Sequence, residues 1–194
     1  LVKPLFDAYS RISEASEETM EHSIFGEVVL DKYPDFKALK DSGESLLYKL
    51  WWAFNNKDKT DAFDSLSSQF LDIFPNFSAF SMSDVILPGH GKEELTTILF
   101  IALSEKGAEV ELDYHDLASG MKRTLDFLGQ VHFLPDNSVV LVDEFENSLG
   151  VNCLSSVTDI VMHDRRDIQF VLTSHHPYII NNIDMRHWKV VTRK

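Results

Sequence analysis

Apolar residues recur every three or four positions through the first third of the chain, and this spacing predicts helices. In the segment from Asp61 to Phe74, for example, apolar side chains stand at positions 62, 63, 66, 70, 71 and 74. Pro34 and Pro75 interrupt the pattern, as prolines do at helix boundaries. We therefore expect a mainly helical region over residues 1–75, with helices at Leu1–Glu21, Lys37–Asn55 and Asp61–Phe74.

The middle of the chain has the pattern of a β-meander, since short strand-like segments alternate there with glycine-containing turns. The expected strands are Ala79–Leu87, Leu95–Leu103 and Ala108–His115, and the expected turns contain Gly89-His90-Gly91 and Glu105-Lys106-Gly107. The segment GHGKE at Gly89–Glu93 also has the glycines and lysine of a phosphate-binding loop. Ile86 replaces its first glycine and Glu93 replaces its hydroxyl residue, so we interpret Gly89–Lys92 as an ordinary loop.

A buried strand of a parallel sheet is predicted at Val139–Val142, because four consecutive apolar residues indicate helices packed on both faces. Asp143 and Glu144 follow it directly. Ligands of open α/β sheets bind beyond the carboxyl ends of the strands, which is where these two acids would lie. Asp143 can hold Mg²⁺ and Glu144 can polarise the water that attacks a γ-phosphate. Two solvated acids at a strand end are the alternative.

A helix N terminus is predicted within LASGMKR, Leu117–Arg123, because apolar residues follow it at helical spacing. Ser119 is the expected N-cap. The N–H groups and the positive dipole end of such a helix suit a phosphate, and Gly120 lets the backbone approach it. An ordinary capped helix remains the alternative.

A further strand is predicted within Asp167–Ser174, and His175, His176 and Pro177 come after it. A histidine at that position can donate to a phosphate oxygen or hold the attacking water, or it can be a plain surface imidazole. The intervals from Gly120 to Asp143 and from Asp143 to His175 each accommodate one helix and one strand. The order therefore predicts a strand–helix–strand crossover with polar residues at both strand ends.

In this order the three segments resemble the C-terminal half of an ABC-type ATPase head. The branch in question includes SMC proteins, double-strand-break-repair ATPases and the AAA-labelled ATPases of bacterial anti-phage systems. LASGM resembles the signature motif, VVLVDE the Walker B motif, ENSLG the D-loop and TSH the switch-histidine loop. The resemblance implies an α/β fold in which residues 76–194 form the C-terminal part of the ATPase domain, with parallel strands and crossover helices after the β-meander. Residues 1–75 would be its helical insertion.

The resemblance also implies the cofactors ATP and Mg²⁺ and a role for each matched residue. Asp143 would bind the metal, Glu144 would be the catalytic carboxylate, and His175 would sense the γ-phosphate. His175 is preferred to His176 because it stands two residues before Pro177. The signature and D-loop positions would bind nucleotide; they are Leu117, Ala118, Ser119, Gly120, Met121, Asn147 and Ser148. Of these, Leu117–Met121 would reach across to the nucleotide of a second subunit.

Two positions depart from the pattern of this family. Signature motifs usually carry serine after the leading leucine, where this chain has Ala118, and related D-loops are often followed by His-Pro, where it has Gly150 and Val151. No convincing Walker A segment is found, and the sequence begins with Leu1 rather than methionine. We therefore expect the chain to be the tail portion of a longer protein with its Walker A motif upstream.

Composition narrows the choice of partners. The chain has 194 residues, a hydrophobic content of 44% and a net charge of −13, which argues against holding nucleic acid by a general positive field. DNA contact would then depend on the assembled protein. No apolar stretch reaches the ~18 residues of a membrane span and no secretory leader is visible, so we expect no membrane partner and a cytoplasmic location. The single cysteine, Cys153, is expected in the core.

The expected function is ATP binding and hydrolysis by a homodimer that controls a partner nuclease in anti-phage defence. DEFENSLG and the compact insertion resemble the ATPases of Septu-type and retron-linked systems, which favours this choice. One alternative is a nucleotide-gated scaffold with negligible turnover, which Ala118 would favour. The other is a repair or recombination ATPase of the overcoming-lysogenization-defect type, which would require a Toprim nuclease domain after Lys194.

Overall fold

The computed structural model describes residues 12–14, 24–25, 28–88, 95–164 and 166–191. Two sheets organise this α/β fold. A parallel sheet has the strand order β1-β6-β7 and consists of β1 (Ile12–Glu14), β6 (Val139–Val142) and β7 (Gln169–Leu172). An antiparallel sheet has the order β2-β4-β3, with β5 paired to β4; its strands are β2 (Ile24–Phe25), β3 (Phe77–Pro88), β4 (Leu95–Glu105) and β5 (Glu111–Leu112).

The antiparallel sheet confirms most of the predicted meander. Residues Phe77–Pro88 and Leu95–Glu105 pair along their length, and Gly107 takes a φ of 83° in the turn after β4. The third strand is much shorter than the predicted Ala108–His115. It ends at Leu112 because Asp113 caps a 3₁₀ turn at Tyr114–Asp116 and accepts hydrogen bonds from the N–H groups of His115 and Asp116. The loop predicted at Gly89–Lys92 lies outside the described residues.

The predicted helix at Lys37–Asn55 is in fact two helices, α1 (Phe36–Lys40) and α2 (Leu46–Asn55). The polar segment between them ends in Ser45, whose hydroxyl accepts a hydrogen bond from the N–H of Tyr48 at 3.3 Å and caps α2. The next helix, α3 (Ala62–Ile73), confirms the prediction for Asp61–Phe74.

The prediction of a helix at Leu1–Glu21 is wrong where it can be compared with the structure. Residues Ile12–Glu14 form strand β1, which pairs in parallel with Val139–Leu141. Pairing to a strand distant in sequence overrides the local helical pattern there. The rest of the predicted helix lies outside the described residues.

The parallel sheet is connected as the sequence predicts. Helix α4 (Ser119–Phe133) leads into β6, and helix α5 (Val151–His163) crosses from β6 to β7, which pair in parallel; a short helix, α6 (Pro177–Asn182), follows β7. One core lies beneath this sheet and buries Phe127, Val140, Val142, Phe145, Cys153, Leu154 and Val157. The expected core position of Cys153 is thereby confirmed.

Strand β6 is buried on one face only, contrary to the expectation from its four apolar residues. Val140 and Val142 are fully covered, whereas Leu141 is 42% exposed beside Val171, its neighbour on β7, which is 47% exposed. A short apolar run does not distinguish one covered face from two.

A larger core joins the helices to the antiparallel sheet. Trp52 and the α3 residues Phe63 and Phe70 are almost completely buried, and they share this core with Leu99 of β4 and Leu128 of α4. It therefore contains residues from both sides of position 75. No helix in the described part of the chain is both long and apolar enough to cross a bilayer.

Candidate functional site

The two parallel strands β6 and β7 bring the sequence-predicted acids and histidine to one edge of the sheet. Val142 and Leu172 are partners in register, so Asp143 and Thr173 follow at neighbouring positions. The N–H of Thr173 donates to the Val142 carbonyl at 2.9 Å, and the N–H of Phe145 donates to the Thr173 carbonyl at 2.9 Å. The loops after the two strands are thus joined by backbone hydrogen bonds beyond the regular sheet.

Thr173 connects the two acids. Its hydroxyl donates to Oδ1 of Asp143 and accepts a hydrogen bond of 2.8 Å from the N–H of Glu144. Both acidic residues are exposed, so their orientation depends on such contacts rather than on packing. Thr173 has no local sequence signal, because its role depends on the register of two strands 30 residues apart.

The loop that carries the acids has an unusual backbone. Glu144 has a φ of 46° and Ser148 has a φ of 63°, both in the left-handed region that non-glycine residues seldom occupy. The N–H of Asn147 donates to the Glu144 carbonyl at 2.7 Å, which closes a turn between them. Phe145 anchors the loop, since it is completely buried with its ring centroid 5.1 Å from that of Phe127. Such conformations concentrate at functional sites, where the surrounding structure holds them.

The two histidines after β7 have different roles. The ring Nδ1 of His176 accepts a hydrogen bond of 3.2 Å from the N–H of Tyr178 and so caps helix α6. His175 is 85% exposed, with Nδ1 3.1 Å from Oε1 of Glu146, and its backbone N–H donates to the same oxygen at 3.0 Å. This geometry favours His175 as the histidine that can meet a ligand.

Glu146 is a second residue of the site that the sequence pattern alone does not reveal. Its side chain is only 11% exposed. Burial alone would raise the pKa of this carboxyl, but hydrogen bonds from the Ser174 side chain and from the backbone N–H of His175 hold the pKa below its ordinary value. Glu146 is therefore ionised at neutral pH. Asp143 and Glu144 are recognisable in the sequence because they directly follow a predicted strand, whereas Glu146 is marked only by its place in the D-loop.

The helix that begins with the signature motif does not use Ser119 as its N-cap. Ala118 is the N-cap, Ser119 is the first helical residue, and among the described residues no side chain caps this end of α4. The serine prediction is wrong because the helix starts one residue earlier, with the Ala118 carbonyl accepting from the N–H groups of Met121 and Lys122. Leu117 is buried, Gly120 and Met121 are half-buried, and Ala118 and Ser119 are exposed.

The signature helix and the D-loop touch each other. A Cβ atom at position 120 would lie 2.9 Å from the Ser148 carbonyl oxygen and 3.4 Å from the Gly150 nitrogen. Asn147 is exposed one residue before this contact, and Gly150 is the N-cap of α5. The sequence-predicted residues thus form two groups joined by the loop 143–150: Asp143, Glu144 and His175 at the sheet edge, and residues 117–121 with 147–148 at the start of α4.

Asp143 is the residue at this edge that could hold a metal ion. In the described ranges no three His, Cys, Asp or Glu side chains converge as a complete metal-binding set. Mg²⁺ commonly takes one or two carboxylates and completes its shell with water and substrate phosphates. The exposed Asp143, held by Thr173, is suited to be such a single carboxylate ligand.

Comparison with known proteins identifies a family. Residues 21–181 match the family described as "AAA domain, putative AbiEii toxin, Type IV TA system". Among solved structures, the chain is similar to an SMC head bound to the C-winged helix domain of ScpA, with a TM-score of 0.48 and 14% identity. That similarity covers 80% of this chain and 46% of the SMC head chain, so the chain spans less than half of that structure's length. No curated protein matches the chain.

Proposed function

The chain belongs to the AAA domain family that carries the AbiEii and type IV TA system description, and from this premise we propose that it provides the metal-binding carboxylate and the catalytic carboxylate of an ATP-hydrolysing dimer. Membership makes it a nucleotide-binding domain of the AAA ATPase type. The observation that carries the finer proposal is the hydroxyl of Thr173, which bridges Asp143 and the backbone of Glu144.

Each residue at the sheet edge has a distinct part in this reaction. Asp143 would ligate Mg²⁺, which neutralises charge on the nucleotide phosphates. Glu144, which is exposed, would orient the attacking water and accept its proton. His175, also exposed, would hydrogen-bond the γ-phosphate oxygens as charge develops on them. The left-handed φ of Glu144 turns the backbone sharply at this position, so the two neighbouring acids can take separate roles.

The second half of the active site would come from another subunit. The start of α4 lacks a side-chain cap within the described residues, and an uncapped helix N terminus binds anions through its N–H groups and dipole. We assign this end, with Asn147 and Ser148, to the ATP of the partner in a two-fold dimer. The absence of any hydroxyl at Ala118 leaves Ser119 as the exposed hydroxyl of the motif.

The wider proposal is a cytoplasmic ATPase that controls a partner nuclease in anti-phage defence, with any DNA contact made by the assembly. The motif resemblance and the net charge of −13 support it. A nucleotide-gated scaffold with negligible turnover is the second candidate. Ala118 favours the scaffold, because the N-cap residue of α4 has no side-chain oxygen.

The two acids provide the test, in the full-length protein with ATP turnover and Mg²⁺-dependent nucleotide binding measured side by side. Glu144→Gln should keep nucleotide binding and slow hydrolysis by roughly 10² or more, because water activation is lost and the metal ligand is not. Asp143→Asn should weaken Mg²⁺-dependent binding itself. Glu109→Gln, at an exposed position in a loop, is the matched control and should change neither quantity.

The outcomes separate the candidates. Turnover near that of the unchanged protein in Glu144→Gln would contradict its catalytic role. Binding without measurable turnover in the unchanged protein would instead favour the scaffold.

A further inference from the structure

The carboxylate of Glu146 holds His175 at two points. One oxygen, Oε1, is 3.1 Å from the ring Nδ1 and 3.0 Å from the backbone nitrogen of the same residue. The two partners differ greatly in exposure, 11% for the Glu146 side chain and 85% for that of His175. The carboxylate of the largely buried Glu146 side chain thus contacts Nδ1 of an imidazole ring that otherwise faces solvent.

These contacts determine which ring nitrogen faces the carboxylate. A neutral imidazole carries one proton, on either Nδ1 or Nε2, and an ionised carboxylate can only accept hydrogen bonds. The 3.1 Å distance between Nδ1 and Oε1 therefore suits a ring that carries a proton on Nδ1. Nε2 is left on the far side of the ring, toward the exposed edge, and it can donate to a phosphate oxygen only when it carries a proton.

We infer that Glu146 is a positioning residue that orients the His175 ring, with Nδ1 toward the Glu146 carboxylate and Nε2 toward the γ-phosphate. The inference deepens the proposed function and rests on it for the identity of the ligand. The backbone of the loop supports it, since Glu146 lies between two residues with left-handed φ, Glu144 and Ser148, in a turn closed by the hydrogen bond from the N–H of Asn147 to the Glu144 carbonyl. The ionised state of Glu146 at neutral pH supplies the acceptor that the arrangement needs.

Glu146 could instead act only by holding the loop after β7, through the backbone N–H of His175. The two possibilities differ in a double-mutant cycle, because His175→Ala removes the ring contact and keeps the backbone contact. If Glu146 acts by positioning the ring, Glu146→Ala should lower kcat for ATP by about tenfold to hundredfold with little change in KM. In a protein that already carries His175→Ala, the same change should lower kcat almost no further. An equal loss in both backgrounds would overturn the inference.

A spectroscopic readout tests the same inference without any hydrolysis. The ¹⁵N chemical shifts of the His175 ring, assigned by their disappearance in His175→Ala, should report a form with a proton on Nδ1. Glu146→Gln keeps a carbonyl acceptor and should preserve that form and the fold, whereas Glu146→Ala should shift the ring toward Nε2–H. A ring in the Nε2–H form in the unchanged protein would overturn the inference.

The spectroscopic result is also independent of the proposed activity. If the ring responds as expected and the protein hydrolyses no ATP, the positioning by Glu146 stands and the proposed function fails. If hydrolysis is observed and the ring does not respond, the reverse holds.

Discussion

Gly120 lies so close to Ser148 that a side chain at position 120 would press on the Ser148 carbonyl, 2.9 Å from the place of its Cβ atom. The sequence suggested that this glycine lets a phosphate approach the helix. The structure adds a second reason within the chain itself, because the glycine allows the start of α4 to pack on the D-loop. The start of α4 and the D-loop are therefore one packed unit.

Gly120→Ala should consequently displace the loop at 148–150 rather than leave the fold unchanged. Its neighbour is backbone, which yields less readily than the end of a flexible side chain, so we expect a loss of about 1–3 kcal/mol in the free energy of unfolding. Chemical denaturation measures this loss. Gly43→Ala is the matched control, since no atom lies within 4 Å of the place of its Cβ, and it should leave stability almost unchanged. If Gly120→Ala and Gly43→Ala have equal free energies of unfolding, the expected clash between a side chain at position 120 and the Ser148 carbonyl does not occur.

Thr173→Val tests the bridge between the acids. Valine keeps the shape of threonine but removes both the donor to Asp143 and the acceptor for the N–H of Glu144. We expect weaker Mg²⁺-dependent nucleotide binding and slower turnover, together with a stability loss of about 1 kcal/mol for the lost hydrogen bonds. Thr173→Ser keeps the hydroxyl and should retain most of both activities. If valine and serine behave alike in binding and turnover, the hydroxyl has no part in the site.

The sequence could predict the features that depend on local pattern. Helix α3, strand β6 and the order of helices and strands around Asp143 and His175 all follow from spacing along the chain, and the structure confirms them. The hydrogen bond from Thr173 to Asp143 and that from His175 to Glu146 join residues about 30 positions apart. No local sequence pattern specifies how the two loops that carry them align.

The errors in the sequence prediction have similar causes. Ile12–Glu14 fits a helical pattern and is a strand because it pairs with β6. Ser119 has the preferred chemistry of an N-cap, yet α4 starts at that residue and Ala118 takes the position. Pairing with a distant strand decides against the local preference in the first case, and the hydrogen-bond register of the helix itself decides against it in the second.

A buried lysine gives a prediction about pH. Lys49 is 7% exposed, and burial lowers its pKa from 10.5 to about 8, while Nζ donates to the Lys40 carbonyl at 2.9 Å. Between about pH 8 and 10.5 the unfolded chain still binds the proton that the folded protein has lost, so the contribution of this residue to stability rises with pH in that window. Below pH 8 the folded protein bears the cost of a buried cation.

Lys49→Met should therefore stabilise the protein by about 1–3 kcal/mol at pH 7, and the gain should shrink toward pH 10. Denaturation curves at the two pH values measure it. The same change at the exposed Lys189 should have little effect at either pH. A gain that is as large at pH 10 as at pH 7 would mean that the cation is not the cause.

The proposed dimer can be tested with two variants of this chain. Ser119 is exposed at the first position of α4, so Ser119→Arg should fold, retain its own Asp143 and Glu144, and obstruct the approach of a partner's phosphate. Glu144→Gln has the opposite defect, with an intact start of α4 and no catalytic carboxylate. Each variant alone should be inactive in hydrolysis.

In a heterodimer of the two variants, one composite site would combine Glu144 of the first chain with Ser119 of the second, and both would be intact. After verified subunit exchange, an equimolar mixture should recover about a quarter of the normal turnover, since about half of the dimers are mixed and each has one working site of two. The control is a mixture of the unchanged chain with the double variant Ser119→Arg/Glu144→Gln. In its mixed dimers each composite site takes one residue from the double variant, so neither site is complete. If the first mixture stays inactive and the mixed dimers of the second hydrolyse ATP, then α4 serves the nucleotide of its own chain, and the assignment of residues 117–121 to the partner's ATP is wrong.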